Sequence, residues 1–294
     1  ELISMVTAVN SAGTDFGAVT SGSTTTFPND ARYVLRSYDS GGYGINLRAF
    51  GAAGTDSGDD TAALRSAISA AVDSGTECRL VPAGLYKLTS TITLSAPLHI
   101  VGVGGYSGAV FKSYHSDDAF RVTSRDIGFH GIGIAASSSS TGYSMGRAIF
   151  VSGGASTLNF YFAHGSVDLY DGVKDSARSG SIVFDDDSGG NSHIISSRVA
   201  PYTVSGTTQA NSISMGSDTA ARQRYITNVS CGGGVISAGS SEDAFVTASF
   251  PSRVEMNAGV FGLNVQGCRW GNSGSTMTLR GGANYFVGNS FSGP

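Results

Sequence analysis

Charge, proline, cysteine and tryptophan are all scarce in this chain of 294 residues. Charged residues make up 14% of it, and there are 6 prolines, 3 cysteines and a single tryptophan. The formal net charge is −4 and no basic run appears, so nucleic acid is not expected as a partner. No apolar stretch approaches the roughly 20 residues that span a bilayer, so membrane insertion is not expected either. No signal peptide opens the chain. Cys78, Cys231 and Cys268 lack C-x-x-C spacing and imply neither a zinc site nor a disulfide framework; they read as small buried residues. His99, His115, His130, His164 and His193 show no H-E-x-x-H or related ligand spacing, so neither a metal nor another cofactor is expected.

Glycine, by contrast, is abundant at 42 residues, and 40% of the chain is hydrophobic. A disordered low-complexity chain would carry far less apolar content. Glycine, serine and threonine in excess suit many short strands joined by tight turns. Residues 1–44 are weakly patterned apart from Tyr33-Val34-Leu35, and read as a linker or as an arm that packs on a partner.

From Ile45 the pattern sharpens. Leu64, Ala67, Ile68, Ala71 and Val72 recur at helical spacing, which predicts one amphipathic helix over about residues 60–73. Three aspartates, Asp56, Asp59 and Asp60, precede it. At least one of Asp59 and Asp60 stands where an N-cap belongs, so the pair reads as a helix start before it reads as an acid–base or metal cluster. Gly75 is placed to end the helix.

Beyond the helix, strand signals follow one another with no further helical stretch. Near the C-terminus NVQGCRWGN and YFVGNSFSG align at an offset of 21, with Gly267 over Gly288 and Trp270 over Phe291. A helix-free repeat near that length points to a solenoid of stacked strands. At roughly 21–24 residues per coil, the remaining chain would supply about eight coils. A sandwich or barrel would show Asn-Gly or Asp-Gly hairpins, and Asp171-Gly172 is the only such dipeptide. The expected fold is therefore all-β: a right-handed single-stranded parallel β-helix with a short N-terminal capping α-helix. Three parts are expected: an arm (1–44), a module with the capping helix (45–105) and a β-helix body (106–294).

The stretches INLRAFGAAGTDSGDDTAALRSAI, VPAGLYKL and LHIVGVGG resemble the N-terminal module of the pectate-lyase-like parallel β-helix superfamily, in the form found in bacteriophage tailspikes and polysaccharide depolymerases. The family's usual Gly-Asp-Gly before the helix stands here as Gly54-Thr55-Asp56-Ser57-Gly58. The resemblance implies a homotrimer at the phage tail, in contact with other tail or baseplate proteins, that acts on a bacterial surface polysaccharide. It places Asp59 and Asp60 in the fold marker, and it carries no catalytic motif onto this chain.

Glycoside hydrolysis needs two carboxyl groups, about 5–5.5 Å apart for retention or about 6.5–9.5 Å apart for inversion. Equivalent positions on adjacent coils stand about 4.8 Å apart, so residues one coil apart can pair. The carboxylate-dense stretch SVDLYDGVKDSARSGSIVFDDDSGG offers Asp168 with Asp185 and Asp171 with Asp187 as catalytic candidates. The triplet Asp185-Asp186-Asp187 before Ser-Gly-Gly also reads as a solvated turn. Tyr161, Tyr170 and Tyr202 could stack on sugar rings, and Glu242-Asp243 and Glu255 form a second, thinner set with Arg253 nearby. Two readings follow. One is a tailspike-like protein that binds and hydrolyses capsule or O-antigen; the other is a non-catalytic structural or receptor-binding tail protein.

Overall fold

The computed structural model describes residues 43–74, 77–80, 84–102, 107–136, 147–152, 159–168, 180–184 and 191–199. Before residue 43 and after residue 199 it describes strands and tight corners, the last ending at Phe291. The chain is a single-stranded parallel β-helix that winds through three sheets, one strand per sheet in each rung.

Sheet A runs from Tyr43–Asn46 through Leu98–Gly102, Ile127–His130, Phe160–Ala163, Ser192–Ile195 and Arg224–Thr227 to Tyr285–Val287. Sheet B runs from Thr55–Asp59 through Gly84–Leu88, Ala109–Ser113, Ile132–Ala136 and Ser166–Asp168 to Arg198–Val199. Sheet C runs from Ile92–Leu94 through Phe120–Val122, Ile149–Val151 and Gly180–Phe184 to Thr276–Leu279. Alternation along each strand decides what enters the core: Tyr86 and Leu88 are buried between the half-exposed Lys87 and the exposed Leu85. Inward residues then stack from rung to rung. In sheet A the ladder is Ile100, Phe129, Phe162, Ile194, Ile226, Val246 and Val265, with Phe286 partly buried at its end. The rings of Phe111, Phe120, Phe129, Phe160 and Phe184 link the three sheets through contacts of 5.1–6.2 Å.

The corner from sheet A to sheet B is built the same way in rung after rung. One residue turns the chain with positive φ: Gly131 (64°), His164 (53°), Ser196 (47°), Asn228 (54°), Gly267 (59°) and Gly288 (63°). The amide of each of the first five donates to a carbonyl one rung on, such as Ser196 N to Thr227 O at 2.9 Å. Gly267 and Gly288 stand at equivalent corners, and Trp270 pairs with Phe291, as the offset of 21 residues requires.

Coil length differs from the expectation. Phe129, Phe162, Ile194 and Ile226 are register partners 32 or 33 residues apart, whereas Ile226, Val246, Val265 and Phe286 follow at 19–21. Seven sheet A strands, not eight, follow Gly105 among the described residues. From Ile127 on, one or two residues separate the sheet A strands from Ile132–Ala136, Ser166–Asp168, Arg198–Val199, Arg269–Trp270 and Ser290–Phe291. The difference in coil length there arises elsewhere in the rung; the earlier corner between Gly102 and Ala109 is longer. Tyr202–Val204 pairs antiparallel with Thr208–Ser214 as a hairpin added to one rung. At the head, Met5–Val9, Asp15–Val19 and Arg32–Arg36 extend sheet A with antiparallel pairing, and Tyr33-Val34-Leu35 is the centre of the third strand.

Among the described residues one α-helix occurs, α1 (Thr61–Ser74), which buries Leu64, Ala67 and Ala71 against the first rung. Its start divides labour between the two aspartates. Asp60 is the N-cap by backbone, because its carbonyl accepts from Leu64 N at 2.9 Å. Its side chain turns away from the helix and accepts from the amides of Ala53 (2.6 Å), Gly54 (3.4 Å) and Lys87 (3.1 Å). Asp59 instead takes the first helical amide, Thr61 N, at 3.0 Å, and also the hydroxyls of Thr61 and Thr89. Burial opposes its charge, but the hydrogen bonds from Thr61 and Thr89 outweigh it and hold the carboxyl below its ordinary value. Gly75 lies outside the described residues.

Candidate functional site

Among the described side chains, ion-paired clusters stand on two of the three outward walls. On wall C, Arg121 and Phe150 occupy adjacent rungs of one outward row, and Thr93 precedes them. Asp118, 4% exposed, grips Arg147 through two parallel bonds of 2.7 and 2.8 Å and also accepts from its backbone amide at 3.2 Å. Arg147 lies flat over the Phe150 ring, 3.4 Å from its centroid, and Arg121 approaches the same ring at 5.4 Å. A carboxylate saturated in this way fastens two guanidinium groups and is poorly placed to move protons. The cluster therefore carries one net positive charge, with Arg121 its exposed member and Phe150 buried beneath the guanidinium groups. A groove of about 400 Å³ between α1 and the head of the wall, lined by Arg65, Ser69, Thr91 and Thr93, extends the same row. At the preceding corner, both ring nitrogens of His115 are buried without a hydrogen-bond partner. Burial is the main force pushing that imidazole below its ordinary value, against the pull of Asp117 and Asp118.

Wall B carries the third aspartate of the GTDSGDD stretch. Asp56 holds a positive φ of 65° and accepts from Lys112 Nζ at 2.7 Å and from the Tyr114 hydroxyl at 2.8 Å. The bond of Lys112 to Asp56, and second its own interaction with Tyr114, raise the Lys112 ammonium above its usual value. Lys87, one rung below Lys112, rests over the Tyr114 ring at 4.6 Å. Asp56 is thus an electrostatic anchor on a wall, apart from the capping pair.

The sequence-predicted site residues are spread over the fold. Tyr161 is on sheet A, half-exposed, and its ring is stacked on His193 at 4.9 Å. Its face on that side is therefore given to a neighbour. Asp168 ends a sheet B strand in register with Ala135 and, through it, with Lys112. Arg253 and Glu255 are on sheet C, and Glu255 shares the register row of Arg121, five rungs away or about 24 Å. Tyr202 opens the added hairpin. Asp171, Tyr170, Asp185 and Asp187 lie outside the described residues; in the chain they precede and follow Gly180–Phe184, the wall C strand paired with Ile149–Val151. Asp118, Arg121, Arg147 and Phe150 were missed by sequence reasoning. Their signal is the recurrence of Ala-Phe-Arg-Val (119–122) as Ala-Ile-Phe-Val (148–151), 29 residues on.

Cys231 and Cys268 are buried free thiols, and burial pushes Cys231 up to about 12. Among the described residues, no group of three His, Cys, Asp or Glu could hold a metal ion, and no helix is long and apolar enough to cross a membrane.

Three parallel sheets, a short recurring corner with one positive-φ residue, charged walls and a helix at the head define a pectate-lyase-like β-solenoid. The chain belongs to the family described as rhamnogalacturonase A/epimerase, pectate lyase-like, whose sequence profile matches residues 44–247. No curated protein matches the chain in sequence. Among solved structures, it is similar to the Dettilon tailspike protein, at 17% identity and a TM-score of 0.48 over 92% of this chain and 64% of that one. It is similar to ORF18 of Geobacillus virus E2, at 16% identity and a TM-score of 0.47 over 88% of this chain and 59% of that one. The mannuronan C-5 epimerase AlgE6 A-module of Azotobacter vinelandii aligns at 14% identity and a TM-score of 0.43, over 83% of this chain and 75% of that module. The chain thus spans less than two thirds of the two viral proteins.

Proposed function

We propose that this chain is the polysaccharide-binding β-solenoid of a tailspike-like protein, acting at the bacterial surface on an acidic capsule or O-antigen. The observation that carries the reading is the pair of guanidinium groups held over Phe150 on a flat wall. Such a surface offers charge-assisted hydrogen bonds to a sugar carboxylate, chiefly from the exposed Arg121, with the buried Phe150 ring as the support of both guanidinium groups. Family membership supports the same substrate class, since its description names a rhamnogalacturonase and an epimerase. In this reading residues 1–44 form an attachment arm, 45–105 the capped module and 106–294 the glycan-binding body of a virion-borne homotrimer.

Cleavage by hydrolysis is the finer proposal. Asp168, Asp171, Asp185 and Asp187 are its catalytic candidates, with Tyr161, Tyr170, Tyr202, Arg253 and Glu255 as ligand contacts. A receptor-binding role without catalysis has an observation in its favour: Asp56, Asp59, Asp60 and Asp118 each accept several hydrogen bonds and act as fasteners.

The test is incubation with purified surface polysaccharide of a bacterium the protein adsorbs to. New reducing ends without the ultraviolet absorbance of an unsaturated sugar mark hydrolysis, and that absorbance marks β-elimination. Activity that survives Asp168→Asn, Asp171→Asn, Asp185→Asn and Asp187→Asn removes the catalytic assignment. Adsorption with no product leaves the receptor-binding role. Arg121→Ala is expected to weaken binding of the acidic chain about tenfold, the loss of one charge-assisted hydrogen bond. Unchanged affinity would remove wall C from the proposal.

A further inference from the structure

The outward face of sheet A carries a ladder of rings that the chemistry of wall C does not use. His99, Gly128, Tyr161, His193 and Tyr225 occupy a single register row on successive rungs. The Tyr161 and His193 rings are 4.9 Å apart and 5° from parallel, and those of His193 and Tyr225 are 4.7 Å apart and 6° from parallel. Rungs repeat at about 4.8 Å, so these rings stand upright on the sheet and cover one another's faces along the solenoid axis.

The glycine in the row is part of the construction. A Cβ on Gly128 would lie 2.4 Å from His99 Nδ1 and 2.6 Å from His130 Nε2. Those two nitrogens are 2.9 Å apart, and their rings are within 9° of parallel with centroids 5.1 Å apart. Two imidazoles joined edge to edge in one plane have this geometry. The joined pair fills the space over Gly128, and His99 faces Tyr161 at 6.2 Å, which continues the stack.

With their faces covered, these rings offer their edges. Tyr161, His193 and Tyr225 are half-exposed, and their polar atoms recur once per rung. The outward positions from His99 to Tyr225, and the parallel row Val101, His130, Ala163, Ile195 and Thr227, contain no Lys, Arg, Asp or Glu. Burial holds the His193 imidazole below its ordinary value and so neutral near pH 7. Farther along, the Thr227 and Thr247 hydroxyls meet at 3.0 Å and continue the uncharged hydrogen-bonding surface.

We propose that this ladder is a second binding strip, taking a neutral, extended glycan whose long axis follows the solenoid with one sugar ring per rung. An added peptide strand needs a free sheet edge, and this is a sheet face with its backbone already paired. An anion would need cations such as those of wall C, and the outward positions from His99 to Tyr225 have none; Arg79, in register with Val101, lies one rung before the strip. Neutral sugar hydroxyls, repeating at about the length of a rung, match hydroxyl and imidazole edges that both donate and accept. The proposal rests on the polysaccharide-binding reading above, but it assigns a different wall and a different sugar chemistry.

The chain's five histidines make its imidazole NMR signals few enough to assign. Cellohexaose at millimolar concentration is expected to shift His99, His130 and His193 and to leave His115 unmoved. Tyr161→Phe, which keeps the stack and removes one hydroxyl, should weaken that response several-fold, and Tyr225→Phe likewise; Arg121→Ala should leave it unchanged. Absence of those three shifts, or shifts that Tyr161→Phe does not weaken, overturns the proposal. Hexagalacturonate separates the two ideas. If it binds in an Arg121-dependent way while cellohexaose gives no shift, the strip alone is lost. If neither binds, both readings fall.

Discussion

Gly128→Ala should change the sign of its effect on stability according to what stands opposite it. In the intact protein the new methyl meets His99 Nδ1 at 2.4 Å and His130 Nε2 at 2.6 Å, so the two rings must part. Parting them loses one hydrogen bond, about 0.5–1.5 kcal/mol, and loosens ring contact with Tyr161 worth about 0.5–1.5 kcal/mol. Against this, alanine is favoured over glycine within a strand by about 0.5–1 kcal/mol. The net expectation is a destabilisation of about 1 kcal/mol. With His99→Ala already in place, the pair does not exist and His130 has room to swing aside. The same substitution should then stabilise by about 0.5–1 kcal/mol, giving a coupling of about 1–2 kcal/mol. Urea unfolding of the four proteins, compared at equal m-values, reads this directly. Equal destabilisation by Gly128→Ala in both backgrounds would refute the account of why glycine stands there.

Asp60→Ala should cost about 3 kcal/mol, because three amides lose a buried charged acceptor, and Asp60→Asn should cost less; urea midpoints give both values. Stability should fall as pH drops below about 6.5. His115 and His193 are both held down by burial, so their contribution is complete above the unfolded-state value and is lost as each protonates in the folded state. Thermal melts between pH 7.5 and pH 5 test this as an order-of-magnitude window, and His115→Leu should flatten the curve. A profile flat across that range would mean that neither imidazole is destabilised by charging.

The solenoid was legible because its signal is carried by residues that must recur. Inward apolar residues, the helix stripe of Leu64, Ala67 and Ala71, and the Gly267/Gly288 corners are each set by a geometric period. Coil length was misjudged because the short rungs at the C-terminal end were extended to the whole chain, while the rungs between Phe129 and Ile226 gain length in corners without a pattern. The walls were read poorly for a related reason. Density of aspartates along the sequence drew attention to 168–187, yet Asp118 meets Arg147 across a 29-residue separation, visible only once the register is known. The histidines were dismissed because metal-ligand spacing is counted within a segment, whereas His99 and His130 meet across rungs.

The recurring short corner that follows sheet A, with its one positive-φ residue, has a consequence for how such a molecule can be rewired. From Gly131 on, each such corner turns the chain through one positive-φ residue. Neighbouring rungs bind one another through a backbone ladder, a column of apolar side chains and outward contacts such as Asp118–Arg147 and His99–His130. A whole turn can therefore be excised or transplanted at these joints while the turns above and below keep their alignment. Recognition can diversify in the long bends elsewhere on the circumference, with the spine of the molecule untouched.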